Sequence, residues 1–191
     1  MEIWRDGQHV IALGDFYAEY DVFKTVLPKR VDTIWTDPPW SDNALTRFFN
    51  DSVVSKSCDL EGLLGRLGEL CADVEPSFVL VKMGRQSLEL LRRQMLAHRA
   101  TELDVVSWFD GSCCDWLGSW RPGAIELEAG AGSVSMQDVV RPGETFVDPF
   151  CGRGVFVHHA LACGATVYGC EVNPKKHKGL QSGELNLQKE G

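Results

Sequence analysis

A chain of 191 residues that is 44% hydrophobic can bury one sizeable core, so a single α/β-sized domain is expected. No apolar run reaches the roughly 20 residues of a membrane helix, and Met1-Glu2-Ile3-Trp4-Arg5-Asp6 lacks the basic-then-apolar pattern of a secretory leader, which points to a cytoplasmic protein with no membrane partner. The net charge of −8 sits poorly with a partner bound through its phosphates, unless the basic residues gather on one face, another protein supplies the charge, or the substrate is not a long duplex.

Seven cysteines, none in a Cys-x-x-Cys pair, read as reduced thiols and not as a zinc site. In chain order, Gln8 to Leu13 predicts a strand that ends at Gly14-Asp15, and Phe16 to Leu27 a helix. Val31 to Thr36 predicts an apolar strand entering Asp37-Pro38-Pro39-Trp40. Leu60, Leu63, Leu64, Leu67, Leu70 and Cys71 fall at helical spacing behind an Asp59 cap. Ser77 to Lys82 reads as a buried strand, Leu88, Leu91 and Met95 as a helix, and Asp104 to Phe109 as a strand. Thr145 to Val147 and Thr166 to Cys170 are strands flanking a helix from Val155 to Ala162. The alternation predicts a doubly wound α/β sheet in one domain, 1–191. Gly111 to Asp138 has no steady period and reads as a hairpin-and-loop excursion above the sheet.

Two turns carry the chemistry. In Asp148-Pro149-Phe150-Cys151-Gly152-Arg153-Gly154, the glycines permit a tight turn and close backbone approach, and the following helix would aim free amides at a ligand. Glu171, at the end of the next strand in Gly169-Cys170-Glu171-Val172-Asn173-Pro174, stands where a carboxylate can bind a ribose diol. An ordinary strand-turn-helix with a solvent-facing Glu171 fits that segment alone equally well. In the Asp37 turn, a carboxylate and the Pro38 carbonyl could hold the two hydrogens of an exocyclic amine, with the proline φ angles fixing the carbonyl's direction. Trp40 offers a π face for a base. Catalysis would then be largely positioning of amine, methyl and leaving sulfur in line. The bland account makes this a rigid strand end with Trp40 in the core.

With these residues the chain resembles the amino-methyltransferases of nucleic-acid bases, in their permuted β-group order, catalytic motif first and cofactor motif last. Val10-Ile11-Ala12-Leu13-Gly14-Asp15 is similar to that group's opening strand and turn, Val31 to Trp40 to its catalytic motif, Pro142 to Gly154 to its cofactor motif, and Gly169 to Pro174 to the acidic strand end that follows. The resemblance implies a seven-stranded Rossmann-like methyltransferase sheet and S-adenosylmethionine as cofactor. It implies Asp37, Pro38, Pro39 and Trp40 as catalytic residues. For the cofactor it implies Asp15, Asp148, Pro149, Phe150, Cys151, Gly152, Gly154, Glu171 and Asn173, with no metal. Asp15 is read almost equally well as a plain turn aspartate. Asp at the first motif position favours adenine N6 over cytosine N4. Asp-Pro-Pro-Trp is also similar to RNA adenosine methyltransferases, so DNA is the first expectation and RNA the alternative. A duplex target would be flipped.

Three features depart from the pattern. Arg153 replaces a small residue. The helix before the cofactor motif is short or missing between Gly132 and Val140. The recognition region, about 111–138, is reduced, which suggests low specificity, a specificity partner or a homodimer. Arg47, Arg121 and Arg153, with Trp40, are the candidates for touching nucleic acid. Ion pairs on an acidic surface are their bland alternative. Lys175, Lys176, His177 and Lys178, and Arg85, Arg92, Arg93 and Arg99, read as solvated. A non-catalytic methyltransferase-like subunit is the competing class, favoured by the acidic charge and opposed by the two intact turns.

Overall fold

The computed structural model describes residues 1–52, 56–108, 111–121, 123–125, 134–181 and 185–190. Strands β1 (Glu2–Asp6), β2 (His9–Leu13), β3 (Thr33–Thr36), β4 (Phe78–Gly84), β5 (Thr101–Trp108), β6 (Cys113–Ser119), β7 (Thr145–Asp148), β8 (Thr166–Glu171) and β9 (Gln188–Lys189) form one sheet in the order β5-β6-β4-β3-β7-β8-β2-β1-β9. The five from β4 through β3, β7 and β8 to β2 run parallel. β6 and β5 are antiparallel at one side, and β1 and β9 at the other. The sheet is therefore nine-stranded, not the expected seven. The two additional strands lie beyond β2, where Gly7, at φ +58°, turns β1 back onto β2 and β9 pairs along the free edge of β1.

Helices cover both faces. On one lie α1 (Tyr20–Val26), α2 (Asp42–Asn50), α3 (Leu60–Val74) and α4 (Leu88–Ala97). On the other lie α5 (Met136–Val139), α6 (Val155–Ala162) and α7 (Pro174–Gln181). The central strands are buried on both sides and alternate between two cores. Ile34, Val79, Val81 and Val147 join Phe23, Leu64, Leu67 and Met95. Trp35, Phe78, Leu80 and Phe146 join Val157, Ala160 and Leu180. Each fully buried Val, Leu, Ile, Phe or Met among them contributes about 1.5–3 kcal/mol of transfer free energy.

The first predicted helix is shorter than expected, because Asp15 Oδ1 accepts from the amides of Tyr17 and Ala18 and holds residues 16–19 as a turn. The expected excursion at 111–138 begins instead with a sheet strand. β6 is buried along its whole length and sends Cys114 and Trp116 into one core and Leu117 into the other, so no polar alternation marks it. Of the remainder, 122 and 126–133 lie outside the described residues. α5 is a single turn with a Ser135–Asp138 capping box, in keeping with the short helix expected there. No helix among the described residues is long and apolar enough to cross a membrane.

Candidate active site

The carboxyl ends of β3 and β7 are neighbours, and the two motif turns leave from them. Together they open a cleft of about 590 Å³, lined by Asp37, Pro38, Pro39 and Trp40 from one turn and Asp148, Phe150, Cys151 and Gly152 from the other. α2 adds Ala44 and Phe48, α6 adds Val155 and Phe156, and α7 adds Lys176.

In the first turn, the Trp40 indole Nε1–H donates to Asp37 Oδ1 at 2.7 Å. Ser87 Oγ donates to the Trp40 carbonyl at 2.7 Å, and the ring rests on Gly84 at the end of β4. Trp40 is 37% exposed, so it is a cleft wall and not a core side chain. Asp37 reaches solvent at the cleft mouth, yet the atoms crowded around its carboxylate desolvate it and raise its pKa. The Trp40 hydrogen bond and the charge of Lys82 oppose that rise, while Asp115 adds to it. Lys82 and Asp115 face each other across β4 and β6.

In the second turn, Asp148 is buried, and burial pushes its carboxyl up to about 7 against the pull of hydrogen bonds from Thr36 Oγ1 (2.6 Å) and the Phe150 amide (3.1 Å). Gly152 and Gly154 have φ +56° and +84°. A Cβ on Gly154 would meet Leu180 Cδ2 at 2.0 Å, so beside its left-handed backbone this position leaves a larger residue only what space the buried Leu180 side chain gives up by moving. A Cβ on Gly152 would meet nothing nearer than 3.9 Å, which leaves its backbone open to the cleft. The Cys151 side chain packs beside Gly169 in the core, and the residue also borders the cleft. Pro149 and Phe150 border a second, small recess of about 20 Å³ with Asp15, and Phe150 packs edge-on against Phe16 at 5.1 Å.

Glu171, at the end of β8, is 1% exposed, and burial raises its pKa. Its Oε1 accepts from the Asn173 amide at 2.7 Å, but its buried Oε2 makes no well-formed hydrogen bond. A buried carboxylate oxygen left open is costly unless something donates to it.

Other candidates are engaged within the protein. Asp15 Oδ1 serves its own turn, and Oδ2 accepts from Ser57 at 2.5 Å. The Asn173 amide donates to the Asp51 carbonyl at the end of α2, and its Oδ1 caps α7 at Lys175. Arg121 does not reach the cleft rim. Its guanidinium donates to the Val31 carbonyl and pairs with Asp32, at the opposite end of β3, because β6 runs antiparallel and its last residues come out at that end. Arg47 on α2 and Arg153 in the glycine turn are exposed. Among the described residues no cluster of metal-ligating side chains occurs.

Sequence reasoning missed Thr36, Gly84, Ser87, Phe48 and Lys176. Thr36 could have been inferred, since it ends the apolar strand directly before Asp37. Lys176, read as solvated, sits 4.8 Å over the Phe48 ring and contributes positive charge near Glu171.

The sequence matches no family model and no curated protein. Solved structures do match over nearly the whole chain. M1.HpyAVI is 14% identical, with 90% of this chain and 96% of that chain covered and a TM-score of 0.62. TTHA0409, a putative DNA modification methylase from Thermus thermophilus, is 14% identical over 91% and 92%, with a TM-score of 0.64. The PvuII cytosine-N4-specific DNA methyltransferase is 9% identical over 88% and 83%, with a TM-score of 0.59. The chain has their fold. M1.HpyAVI and TTHA0409 have also been solved with S-adenosylmethionine bound.

Proposed function

We propose that the protein is an S-adenosylmethionine-dependent DNA methyltransferase that modifies the N6 amine of adenine. The observation that carries the reading is the shared cleft. An acidic Pro-Pro turn suited to an amine and a glycine turn suited to a nucleoside cofactor leave adjacent parallel strands and face one space. The fold shared with solved DNA methyltransferases supports it, and two of those structures hold the same cofactor.

The residues present fit that cofactor on an independent ground. Glu171 Oε2 is buried and makes no well-formed hydrogen bond of its own, although the Gly152 and Val172 amides are close enough to pull on the carboxylate, and a Cβ on Gly152 would stand in open space. A ribose diol would supply the missing donors. When bound, the cofactor supplies an electrophilic methyl on a positively charged sulfur. The protein's own residues do the rest. Asp37 and the Pro38 carbonyl accept hydrogen bonds from the two amine hydrogens, which turns the nitrogen lone pair out of conjugation and towards the methyl; one proton then leaves the methylated nitrogen. Trp40, Phe48 and Phe156 form an apolar, aromatic wall against which a flipped base stacks and from which water is excluded. Adenine is preferred on the resemblance alone, since Asp at the head of this turn is similar to the motif of the adenine N6 enzymes.

Calorimetry with S-adenosylmethionine, methyl transfer to DNA and analysis of the modified nucleosides test the reading. The wild type binds the cofactor and yields N6-methyladenine. Glu171→Gln weakens cofactor binding on the order of 10-fold, as expected for loss of a charged hydrogen bond. Asp37→Ala leaves cofactor affinity within a few-fold and lowers transfer on the order of 10²–10³-fold. Transfer retained by Asp37→Ala would overturn the assignment of this turn, and N4-methylcytosine as product would overturn the choice of base.

A further inference from the structure

Trp40 is restrained from three directions. Its carbonyl accepts from Ser87 Oγ at 2.7 Å. Its Cβ, Cε3 and Cδ2 crowd the bare backbone of Gly84, where an added Cβ would stand 3.2, 3.3 and 3.5 Å from them. Its indole N–H reaches back three residues to Asp37 Oδ1 at 2.7 Å. A wall needed only for stacking would require none of these restraints. Phe or Tyr would offer a ring face as well.

Only the indole fits the third contact. Its N–H lies on the pyrrole edge, close to its own backbone, so it can turn back to a carboxylate at position i−3. The Tyr hydroxyl lies at the far end of its ring, and Phe has no donor. Gly84 has φ −66°, which any residue adopts, so what the absent side chain provides here is room for the ring.

We propose that Trp40 is a positioning residue for Asp37. Its N–H holds Oδ1 and leaves Oδ2, which no described residue occupies, as the oxygen presented to the amine. This rests on the methyltransferase reading for its consequence in catalysis, but not for the coupling itself. The carboxylate of Asp37 stands where desolvation favours its protonated, useless form, and the Trp40 hydrogen bond counters that. Ser87 and Gly84 fix the ring, the ring fixes the carboxylate, and the end of β4 thereby acts through the Pro-Pro turn on one oxygen atom.

The test has an arm that needs no catalysis. Carboxyl NMR follows the titration of Asp37 in the wild type, Trp40→Phe and Gly84→Ala, with circular dichroism and the cooperativity of thermal unfolding as the check that each variant is folded. Asp37 titrates at higher pH in Trp40→Phe. It moves in the same direction, by less, in Gly84→Ala, where the tryptophan is present but displaced. In transfer assays Trp40→Phe loses on the order of 10- to 100-fold in kcat, keeps its KM for DNA, and shows an acid limb moved to higher pH. An unchanged Asp37 titration in Trp40→Phe overturns the proposal, as does a raised KM with kcat and acid limb intact, which is what stacking alone would give. A shifted titration in a protein whose wild type transfers no methyl group overturns the functional reading and leaves the coupling standing.

Discussion

Asp148 carries the most consequential proton in the cleft. Its carboxyl titrates near 7 because it is buried, while the unfolded chain releases the proton near the ordinary 3.8. The folded state therefore holds more protons between those values, and its stability falls as pH rises through that window. At 1.36 kcal/mol per tenfold change in proton affinity, the loss is on the order of 4 kcal/mol at most. Asp148→Asn keeps an acceptor for Thr36 and the Phe150 amide and cannot ionise. We expect its melting temperature to exceed that of the wild type at pH 8 and the gap to close by pH 4. A gap equal at both values would remove the buried proton from the account. At this scale the sequence was legible where chemistry and chain position coincide: Asp37, Pro38, Pro39, Trp40 and Glu171 are each named by the turn or strand end they occupy. Gly84 and Ser87 were not, because they act on Trp40 from more than 40 residues away and nothing in their own neighbourhood marks them.

Among the elements, the glycine turn and α7 depend on each other. Gly154 combines φ +84° with an approach to Leu180 that leaves a methyl group no room unless the leucine moves. Gly154→Ala should cost roughly 2–5 kcal/mol, from a left-handed backbone at about 1–2 kcal/mol and overpacking at about 1–3 kcal/mol, read as a lowered midpoint in urea unfolding. Gly152→Ala, with open space above it, should lose only the backbone part. Equal losses in the two variants would show that the packing against α7 contributes nothing. The strands that line the cleft were readable because they are apolar and end in motifs. α2 was not. Asp42, Asn43, Thr46 and Asn50 are poor helix formers, and the helix rests on its Ser41 cap and on Leu45 and Phe49 packed four residues apart. β6 escaped for the opposite reason, since a strand buried on both faces offers no polar period to follow.

Across the whole molecule, some cations are tied into ion pairs and others, Lys29 and Arg30 at the amino end of β3 among them, have none among the described residues. Arg5, Lys24, Arg66, Arg92, Arg93 and Lys189 are held in ion pairs away from the cleft. Among the described residues no ion pair engages Arg47, Arg153, Lys175 or Lys178, which stand on α2, the glycine turn and α7, on the side of the sheet where the cleft opens. An acidic chain can in this way still offer phosphate a local welcome. Reversing Lys175 and Lys178 to Glu should weaken DNA binding and lower the salt slope by about 2, at roughly 0.9 per lost contact. Reversing Lys29 and Arg30, exposed beyond the amino end of β3, changes net charge equally and should leave the slope alone. Equal effects from both pairs would mean that only total charge matters. Net charge, all that composition offered, is blind to this division, because pairing is decided by which distant segments the fold brings together.

The place of β7 and β8 in the sheet also governs how the chain is made. They come from the last third of the sequence, yet they lie between β3 and β2, in the middle of the sheet. A nascent chain that has emerged only as far as Ile125 has every other strand but β9, and a gap in its centre. β3 and β2 then expose facing rows of unpaired amides and carbonyls, the kind of edge that recruits strands from other chains. The cleft, whose two turns border that gap, comes into being when the final strands are laid in. A chain that stops short of β7 therefore lacks the cleft and carries two open strand edges at the centre of its sheet, so a truncation after Ile125 should self-associate where the chain with β7 and β8 does not.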